Sequence, residues 1–286
     1  MTRIFNAARR RYHRMRNASA ARSEAQDLVA YQARVPLDLD DVGPDLLAAF
    51  KAKFDPSRTD AGAFATPDEI MLFVHIPKTA GMSLGLTLQK AYDVFRPVAW
   101  DRVVESFDEE TRAAYADRSV GRQVVIGHYG WPRIAKLKAA GLPVQAGSFL
   151  RDPAARLASN YDYNCSPAHP WHADFRAQYP TFEAYIEGFQ PNFQCIKLGG
   201  DDATLPQVIE TLVADYTFLG LTEAFGASLR HLGRSHGLAG LTEFAQNRAP
   251  NDSPRTRITR AAREKIYARH GDDLRLVRLL KDLYGL

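Results

Sequence analysis

Residues 70–83 read IMLFVHIPKTAGMS, and this stretch decides the fold. Its first seven residues are apolar apart from one histidine, a pattern typical of a short strand buried on both faces. A tight loop with lysine, threonine and glycine follows, and leucines at helical spacing begin at Leu84. A loop between a buried parallel strand and a helix N-terminus offers free backbone N–H groups to an anion. The stretch therefore predicts an anion site after the first strand of an α/β protein.

Three later runs have the same buried-strand character, and helical patterns fill the gaps between them. The strands are predicted at residues 123–126, 144–150 and 216–221. The helices are predicted at residues 83–92, 108–116, 153–163, 182–189, 205–214 and 224–233, with charged helices over 258–286. Strands that alternate with helices predict a central parallel β-sheet flanked by helices.

The first part of the chain differs in composition from the rest. Residues 1–65 are rich in alanine, arginine and aspartate and lack a buried-strand pattern, so we predict a basic, partly helical N-terminal extension and one main domain over residues 66–286. Residues 1–22 hold seven arginines and no acidic residue. This arm suits either docking on an anionic membrane surface or a solvated tail, and the sequence leaves both open.

Charge and hydropathy narrow the class of protein. The net charge of +4 and the pI near 9.0 suit an anionic ligand. A nucleic-acid partner is not predicted, because such binding needs positive charge clustered on one face. The sequence has neither the apolar core of a signal peptide nor the long apolar run of a membrane span. We therefore expect a cytoplasmic protein, with peripheral membrane contact through the basic arm as an open alternative.

The loop after the first strand has the parts of a phosphate or sulfate site. Lys78 supplies a positive charge, Thr79 and Ser83 supply hydroxyls, and Gly81 lets the backbone approach a ligand. A Walker A loop places its lysine after the last glycine, with a hydroxyl next to it for Mg²⁺. Here Lys78 precedes Gly81 and the upstream glycines are missing, which argues against a magnesium–nucleotide kinase.

A second predicted anion site follows the predicted strand at residues 144–150. Residues 151–161 read RDPAARLASNY, with Asp152 as a helix cap and a proline at the first helical position. Arg151 then lies at the carboxyl end of a strand, on the sheet edge where Lys78 lies and where open parallel sheets bind ligands. An arginine with the hydroxyl of Ser159 can hold a phosphate, whereas Arg156 suits a phosphate contact and a structural ion pair equally.

A candidate general base follows the strand at residues 123–126. His128 comes after this strand and one glycine, so it too is predicted at the carboxyl edge. Histidine is the side chain that most readily exchanges a proton near neutral pH. His75, inside the first apolar run, is predicted to be a core residue or a support for the site.

These segments together resemble a known family. FVHIPKTAGMSL at residues 73–84, RDPxxRxxSxY from Arg151 and IGHYGW at residues 126–131 are similar to motifs of the PAPS-dependent sulfotransferases that include the heparan sulfate 2-O-sulfotransferases. PAPS is 3′-phosphoadenosine-5′-phosphosulfate. The similarity extends over residues 69–286 and implies a P-loop-like fold. The family usually carries threonine where Met82 stands, so a backbone contact is expected there and a hydroxyl contact is not.

The resemblance implies a reaction and a role for each motif. The sulfuryl group of PAPS would pass to a hydroxyl acceptor, with His128 as base and Lys78 stabilising the leaving group, and without a metal. Arg151 and Ser159 would hold the 3′-phosphate. The 5′-phosphosulfate would be held by Lys78, Thr79, Ala80, Gly81, Met82 and Ser83. The family precedent makes the acceptor a carbohydrate or glycolipid hydroxyl.

Other readings stay open at this point. One is a nucleotide-dependent kinase with a degenerate P-loop, and another is a non-catalytic nucleotide-binding protein of the same fold. Cys165, His169 and His172 have a spacing that could suggest a metal, but no fourth ligand is evident and no metal is predicted. The aromatic segment 161–179 suits either an acceptor lid or a loop packed on its own domain.

Overall fold

The computed structural model describes residues 38–58, 62–239, 241 and 256–286. Residues 40–286 belong to one compact unit. The predicted basic arm, residues 1–22, lies outside the described residues. The boundary predicted between residues 65 and 66 stays a prediction, although the helix at Pro44–Phe54 already packs within the compact unit.

Five strands and twelve α-helices make up the described part of the chain. The strands are β1 Ile70–Val74, β2 Val94–Pro97, β3 Gln123–Gly127, β4 Gln145–Leu150 and β5 Tyr216–Leu221. The helices are α1 Pro44–Phe54, α2 Gly81–Ala91, α3 Val103–Ala116, α4 Trp131–Ala139, α5 Pro153–Asn164, α6 His172–Gln178, α7 Phe182–Gly188, α8 Phe193–Gly199, α9 Leu205–Asp215, α10 Phe225–Ser235, α11 Arg260–Arg269 and α12 Gly271–Leu283. The predicted α/β fold with a central parallel sheet flanked by helices is confirmed.

The strand order places the predicted motifs together. The sheet runs β2-β3-β1-β4-β5, and every pair of neighbours is parallel. From the central strand β1 the chain crosses toward β2, whereas from β4 it continues outward to β5. Such a change of direction opens a crevice at the carboxyl ends of the strands, where ligands bind in folds of this class. The loops after β1, β3 and β4 all reach this carboxyl edge.

Aromatic and aliphatic side chains form the core between the sheet and two helices. The rings of Phe73, Phe149 and Phe218 lie on three adjacent strands with centroids 5.5–6.2 Å apart. Leucines of α2 and α10 pack against them, because these helices carry apolar residues at helical spacing. All five residues of β1 and of β3 are buried, which explains their continuous apolar sequence.

The amino edge of the sheet is tied by one buried carboxylate. Glu69 accepts hydrogen bonds from Tyr92 at 3.0 Å, from Nη2 of Arg122 at 3.0 Å and from Nδ1 of His236 at 2.7 Å. Four separate segments therefore meet at one side chain. This network lies just before β1, at the end of the strand opposite to the predicted anion loop.

Candidate active site

The loop after β1 has a backbone shaped to receive an anion. Lys78 has φ 71° and Ala80 has φ 67°, both in the left-handed region that non-glycine residues seldom adopt. The hydroxyl of Thr79 donates to the carbonyl of Ile76 at 2.8 Å, which closes the turn. The first backbone bond of α2 runs from Leu84 to Ala80, so the N–H groups of the preceding turn have no partner inside the helix. Alternating left-handed residues turn such N–H groups inward and create an anion-binding concavity.

His75 supports this loop from beneath. It follows β1 directly, and a Cβ at Gly81 would collide with its imidazole ring. Glycine is therefore required at position 81 for packing against His75. Burial, with smaller contributions from His128 and Lys78, lowers the pKa of His75 to about 3, so this ring is uncharged at neutral pH.

His128 follows β3 directly, and a hydrogen bond to the backbone of His75 fixes the tautomer of its imidazole ring. Its Nδ1 donates to the backbone carbonyl of His75 at 2.8 Å, and the two imidazoles stack with centroids 4.5 Å apart. Because a carbonyl only accepts, the proton of the neutral ring sits on Nδ1 and the lone pair on Nε2. Burial lowers the pKa of His128, the bond to His75 opposes this shift, and Lys197 adds to it. The ring is therefore neutral at pH 7 and able to accept a proton.

Arg151 lies at the end of β4 and contacts the loop after β1. Its Nη1 donates to the carbonyl of Lys78 at 3.0 Å. Its backbone is held by the Gln194 side chain, which accepts from the Arg151 N–H at 3.0 Å and donates to the Arg151 carbonyl at 2.9 Å. Burial lowers the pKa of the guanidinium, with Glu223 and Asp152 opposing the shift. One direct hydrogen bond, from Arg151 to Lys78, thus joins the two predicted anion sites.

The turn that carries Arg151 is fastened to the C-terminal half of the chain. Asp152 caps α5 by accepting from the backbone of Ala154 and Ala155. The other carboxylate oxygen of Asp152 accepts from the hydroxyl of Tyr267 at 2.7 Å, and its backbone N–H donates to Glu223 at 2.8 Å. The motif's aspartate and proline therefore start the helix as the sequence predicts, while α11 holds it in place.

The ammonium of Lys78 lies between the loop and the end of α5. Its Nζ is 4.3 Å from the centre of the Tyr163 ring, within cation–π range. Burial and the neighbouring Arg151 lower the pKa of Lys78, while Asp162 raises it. Ser159 is half-buried one helical turn before Tyr163, so it lies on the helix face that reaches Lys78.

Arg156 is placed differently from Arg151. It is fully buried, with its guanidinium carbon 5.1 and 5.0 Å from the ring centres of Phe189 and Phe193. Its nitrogens have no hydrogen-bond partner among the described residues, and Asp273 is the main opposite charge that raises its pKa against burial. Among the described residues Arg156 therefore contacts two aromatic rings and forms no hydrogen-bonded ion pair, and its role stays a prediction.

The segment 161–179 divides into an inward and an outward part. The rings of Tyr161 and Phe175 pack against Tyr185 at 5.6 and 5.4 Å, inside the domain. Tyr163 and Trp171 are 41% and 54% exposed. Tyr161 and Phe175 therefore pack on their own domain, whereas the acceptor lid stays a prediction for the exposed part.

Several residues of the site carry no role in the sequence-based hypothesis. Gln194 clamps Arg151, and Nζ of Lys197 donates to the backbone carbonyl of His128 at 3.1 Å. Both lie within residues 69–286, and the similarity of this range to the family is the only sequence signal for them. Among the predicted loop residues, Ala80 and Ser83 lie at the start of α2, and the side chain of Met82 is outside the described part.

In residues 38–58, 62–239, 241 and 256–286, no three His, Cys, Asp or Glu side chains are grouped to hold a metal ion. Over the same ranges, no helix has both the length and the hydropathy needed to cross a membrane.

Comparisons with known proteins give a likeness to solved structures alone. No protein-family model and no curated protein matches the chain. Among solved structures, the chain is similar to the crystal structure of mouse sulfotransferase SULT7A1 complexed with PAP, at 14% sequence identity and a TM-score of 0.39. The match covers 70% of this chain and 66% of that one, just under two thirds of its length. A likeness this distant carries no argument about activity, which therefore has to be argued from the site itself.

Proposed function

We propose that this protein is a sulfotransferase that moves the sulfuryl group of PAPS to a hydroxyl acceptor. The observation that carries the proposal is the hydrogen bond of 3.0 Å from Arg151 Nη1 to the carbonyl of Lys78. It joins a loop suited to one anionic group and an arginine suited to another, from motifs 73 residues apart. PAPS carries two such groups, a 5′-phosphosulfate and a 3′-phosphate.

The residues present fit the anionic groups of PAPS. The free backbone N–H groups at the start of α2 and the ammonium of Lys78 suit the 5′-phosphosulfate. We assign Thr79, Ala80, Gly81, Met82 and Ser83 to the same group; Thr79 acts through the shape of the turn, because its hydroxyl donates to Ile76. The guanidinium of Arg151 and the hydroxyl of Ser159 are assigned to the 3′-phosphate. Bound PAPS supplies a sulfuryl group attached to a phosphate that leaves readily.

The proton of the acceptor is assigned to His128. As the acceptor oxygen bonds to sulfur, Nε2 of His128 takes the hydroxyl proton, and the bond from sulfur to the 5′-phosphate oxygen breaks. The products are the sulfated acceptor and 3′-phosphoadenosine-5′-phosphate (PAP), and the histidine later returns its proton to water. The hydrogen bond of 2.8 Å from Nδ1 to His75 supports this role, because it leaves Nε2 as the basic nitrogen.

The leaving phosphate is assigned to Lys78. Negative charge grows on the oxygen between sulfur and phosphorus as the bond breaks, and a fixed cation near this oxygen lowers the barrier. Lys78 lies in the loop after β1 and is partly shielded from water, which strengthens its interaction with such a charge. For the acceptor we propose a carbohydrate or glycolipid hydroxyl, in line with the motif resemblance.

Calorimetric titration with PAP, and separately with ADP and Mg²⁺, tests the donor. We expect binding of PAP and weaker or no binding of ADP with Mg²⁺. Arg151→Ala should weaken PAP binding by about a hundredfold to ten-thousandfold, because it removes about two charge-assisted hydrogen bonds worth roughly 1.5–3 kcal/mol each. Arg230→Ala, which removes an exposed arginine of α10, is the matched control and should leave PAP affinity unchanged.

A second variant separates catalysis from binding. His128→Asn should bind PAP with normal affinity and lose sulfuryl transfer. Preference for ADP with Mg²⁺ would instead support a kinase and contradict the donor assignment. Normal transfer by His128→Asn would contradict the role of the base and leave the donor assignment standing.

A further inference from the structure

Two exposed tryptophans face each other on the surface of the protein. Trp100 is 56% exposed and Trp171 is 54% exposed, and their rings meet edge to face with centroids 5.4 Å apart. They are 71 residues apart in the sequence, in the loop after β2 and at the start of α6. Large aromatic surface left in water by two separate loops at one place is typical of a binding surface.

A row of rings leads from this pair to the proposed reaction centre. Trp171 contacts His169 at 5.8 Å, and His169 contacts Tyr163 at 5.5 Å between ring centroids. The ring of Tyr163 lies under the ammonium of Lys78. We call Tyr163, His169, Trp171 and Trp100 the aromatic arc. One end of the arc therefore meets the residue assigned to the leaving group.

The loop that carries Trp100 starts beside the strand that leads to the proposed base. The backbone of Val98 continues the sheet by donating to Ile126 at 2.8 Å, and Val98 fills the space where a Cβ of Gly127 would lie. Trp100 follows Val98 by two residues, and His128 follows Gly127 directly. His128 stacks on His75 beneath the loop of Lys78, so the two ends of the arc belong to segments that start at the same carboxyl edge of the sheet.

We propose that Trp100 and Trp171 form an acceptor subsite that binds a saturated sugar ring next to the ring being sulfated. This inference rests on the proposed function. Lys78 meets the arc at Tyr163, and Trp171 is two ring contacts further along, so the pair contacts a part of the acceptor other than the reacting hydroxyl.

The exposure of Trp100 and Trp171 indicates what kind of chemical group binds to them. A sugar ring presents C–H groups from its faces to an aromatic ring and keeps its hydroxyls in water, which suits tryptophans that remain half-exposed. A phenolic or sterol acceptor has little to gain from an open surface, because such molecules bind in clefts that bury most of their area. The subsite therefore favours an acceptor of at least two linked sugar rings.

Intrinsic fluorescence measures the subsite directly, because Trp100 and Trp171 are two of the three tryptophans of the chain. The PAP-saturated protein is titrated with maltotetraose, cellotetraose and chitotetraose, and with para-cresol as a phenolic probe. We expect a fluorescence change with at least one tetrasaccharide and none with para-cresol. Trp100→Ala and Trp171→Ala should each weaken this binding by about tenfold, the size of one lost aromatic contact.

The matched control is Val120→Ala, which shortens an exposed apolar residue just before β3, at the opposite edge of the sheet. It should keep the sugar response, and all three variants should keep the PAP affinity of the unmodified protein. Trp100→Phe and Trp171→Phe retain a ring and guard against loss of folding in the alanine variants.

Three results would overturn the subsite. They are a sugar response that survives replacement of both tryptophans, a response to para-cresol alone, and no response to any of the tetrasaccharides. A loss of thermal stability in the variants with unchanged sugar affinity would show that the pair only joins the two loops. Failure of PAP binding in the unmodified protein would refute the proposed function separately, since PAP affinity is measured without any sugar.

Discussion

Replacing Gln194 tests whether its buried side-chain amide holds Arg151 in position at the proposed 3′-phosphate site. Gln194 is fully buried at the start of α8, and its side chain pairs with both the N–H and the carbonyl of Arg151. Leucine has a similar volume and can form neither bond. Gln194→Leu therefore leaves the charge of Arg151 in place and removes only the clamp on its backbone.

The expected cost follows from the two hydrogen bonds, which are 3.0 and 2.9 Å long. Each leaves one backbone group without its partner, and an unsatisfied buried polar group costs about 1–3 kcal/mol. The free energy of unfolding should therefore fall by about 2–6 kcal/mol. The turn at Arg151 can relax to reach water, and the loss will be smaller if it does so. Such a movement would displace the guanidinium, and we expect PAP affinity to fall at least tenfold even when folding is intact.

Urea unfolding and PAP titration of the same preparations measure both effects. The urea concentration at the midpoint of unfolding should fall without a change in the m-value, because the surface exposed on unfolding is unchanged. Gln178→Leu, on the exposed side of α6, is the matched control and should alter neither quantity. An unfolding free energy within about 0.5 kcal/mol of the unmodified protein, together with normal PAP affinity, would refute the clamp.

Two further predictions concern pH. The rate of sulfuryl transfer should rise with pH through the pKa of His128 and level off above it. Because burial lowers this pKa, the midpoint of the rise should lie below the usual 6.5. A midpoint above 6.5 would contradict a buried neutral base. The free energy of unfolding should fall as pH drops below 6.5, because burial lowers the pKa values of His75 and His270 to about 3 and of His231 to about 4, so the unfolded chain binds protons that the folded chain does not. His231→Phe keeps a ring against Phe218 and should reduce this pH dependence by up to one proton, as measured by urea midpoints between pH 7 and pH 5; an unchanged slope would show that His231 titrates normally in the folded protein.

Most of the sheet could be predicted from local sequence, and the exception has a physical cause. Strands β1, β3, β4 and β5 are almost entirely buried, so each reads as a run without a charged residue. Strand β2, Val94–Pro97, was not predicted. It lies at the edge of the sheet, its residues are half-buried or exposed, and it contains an arginine and a proline, so it has no such run.

The same division holds within the site. His128 and Arg151 follow their strands directly, and Lys78 lies in the short loop after β1. Parallel strands bring their carboxyl ends to one edge, so the sequence was sufficient to predict that these three residues gather there. The cap by Asp152 and the helix start at Pro153 are equally local, since they depend on residues no more than three positions apart.

Only the tertiary structure shows which distant side chains hold these residues in place. Gln194 reaches Arg151 across 43 positions of sequence, and Tyr267 reaches Asp152 across 115. His75 had been assigned to the core or to a support, and only the fold stacks its ring on His128 and thereby selects the basic nitrogen. Local periodicity and spacing reflect burial and backbone preference, which act over a few residues. Contacts between distant side chains depend on how the strands and helices are ordered around the sheet, and that order is set by the packing of the whole chain.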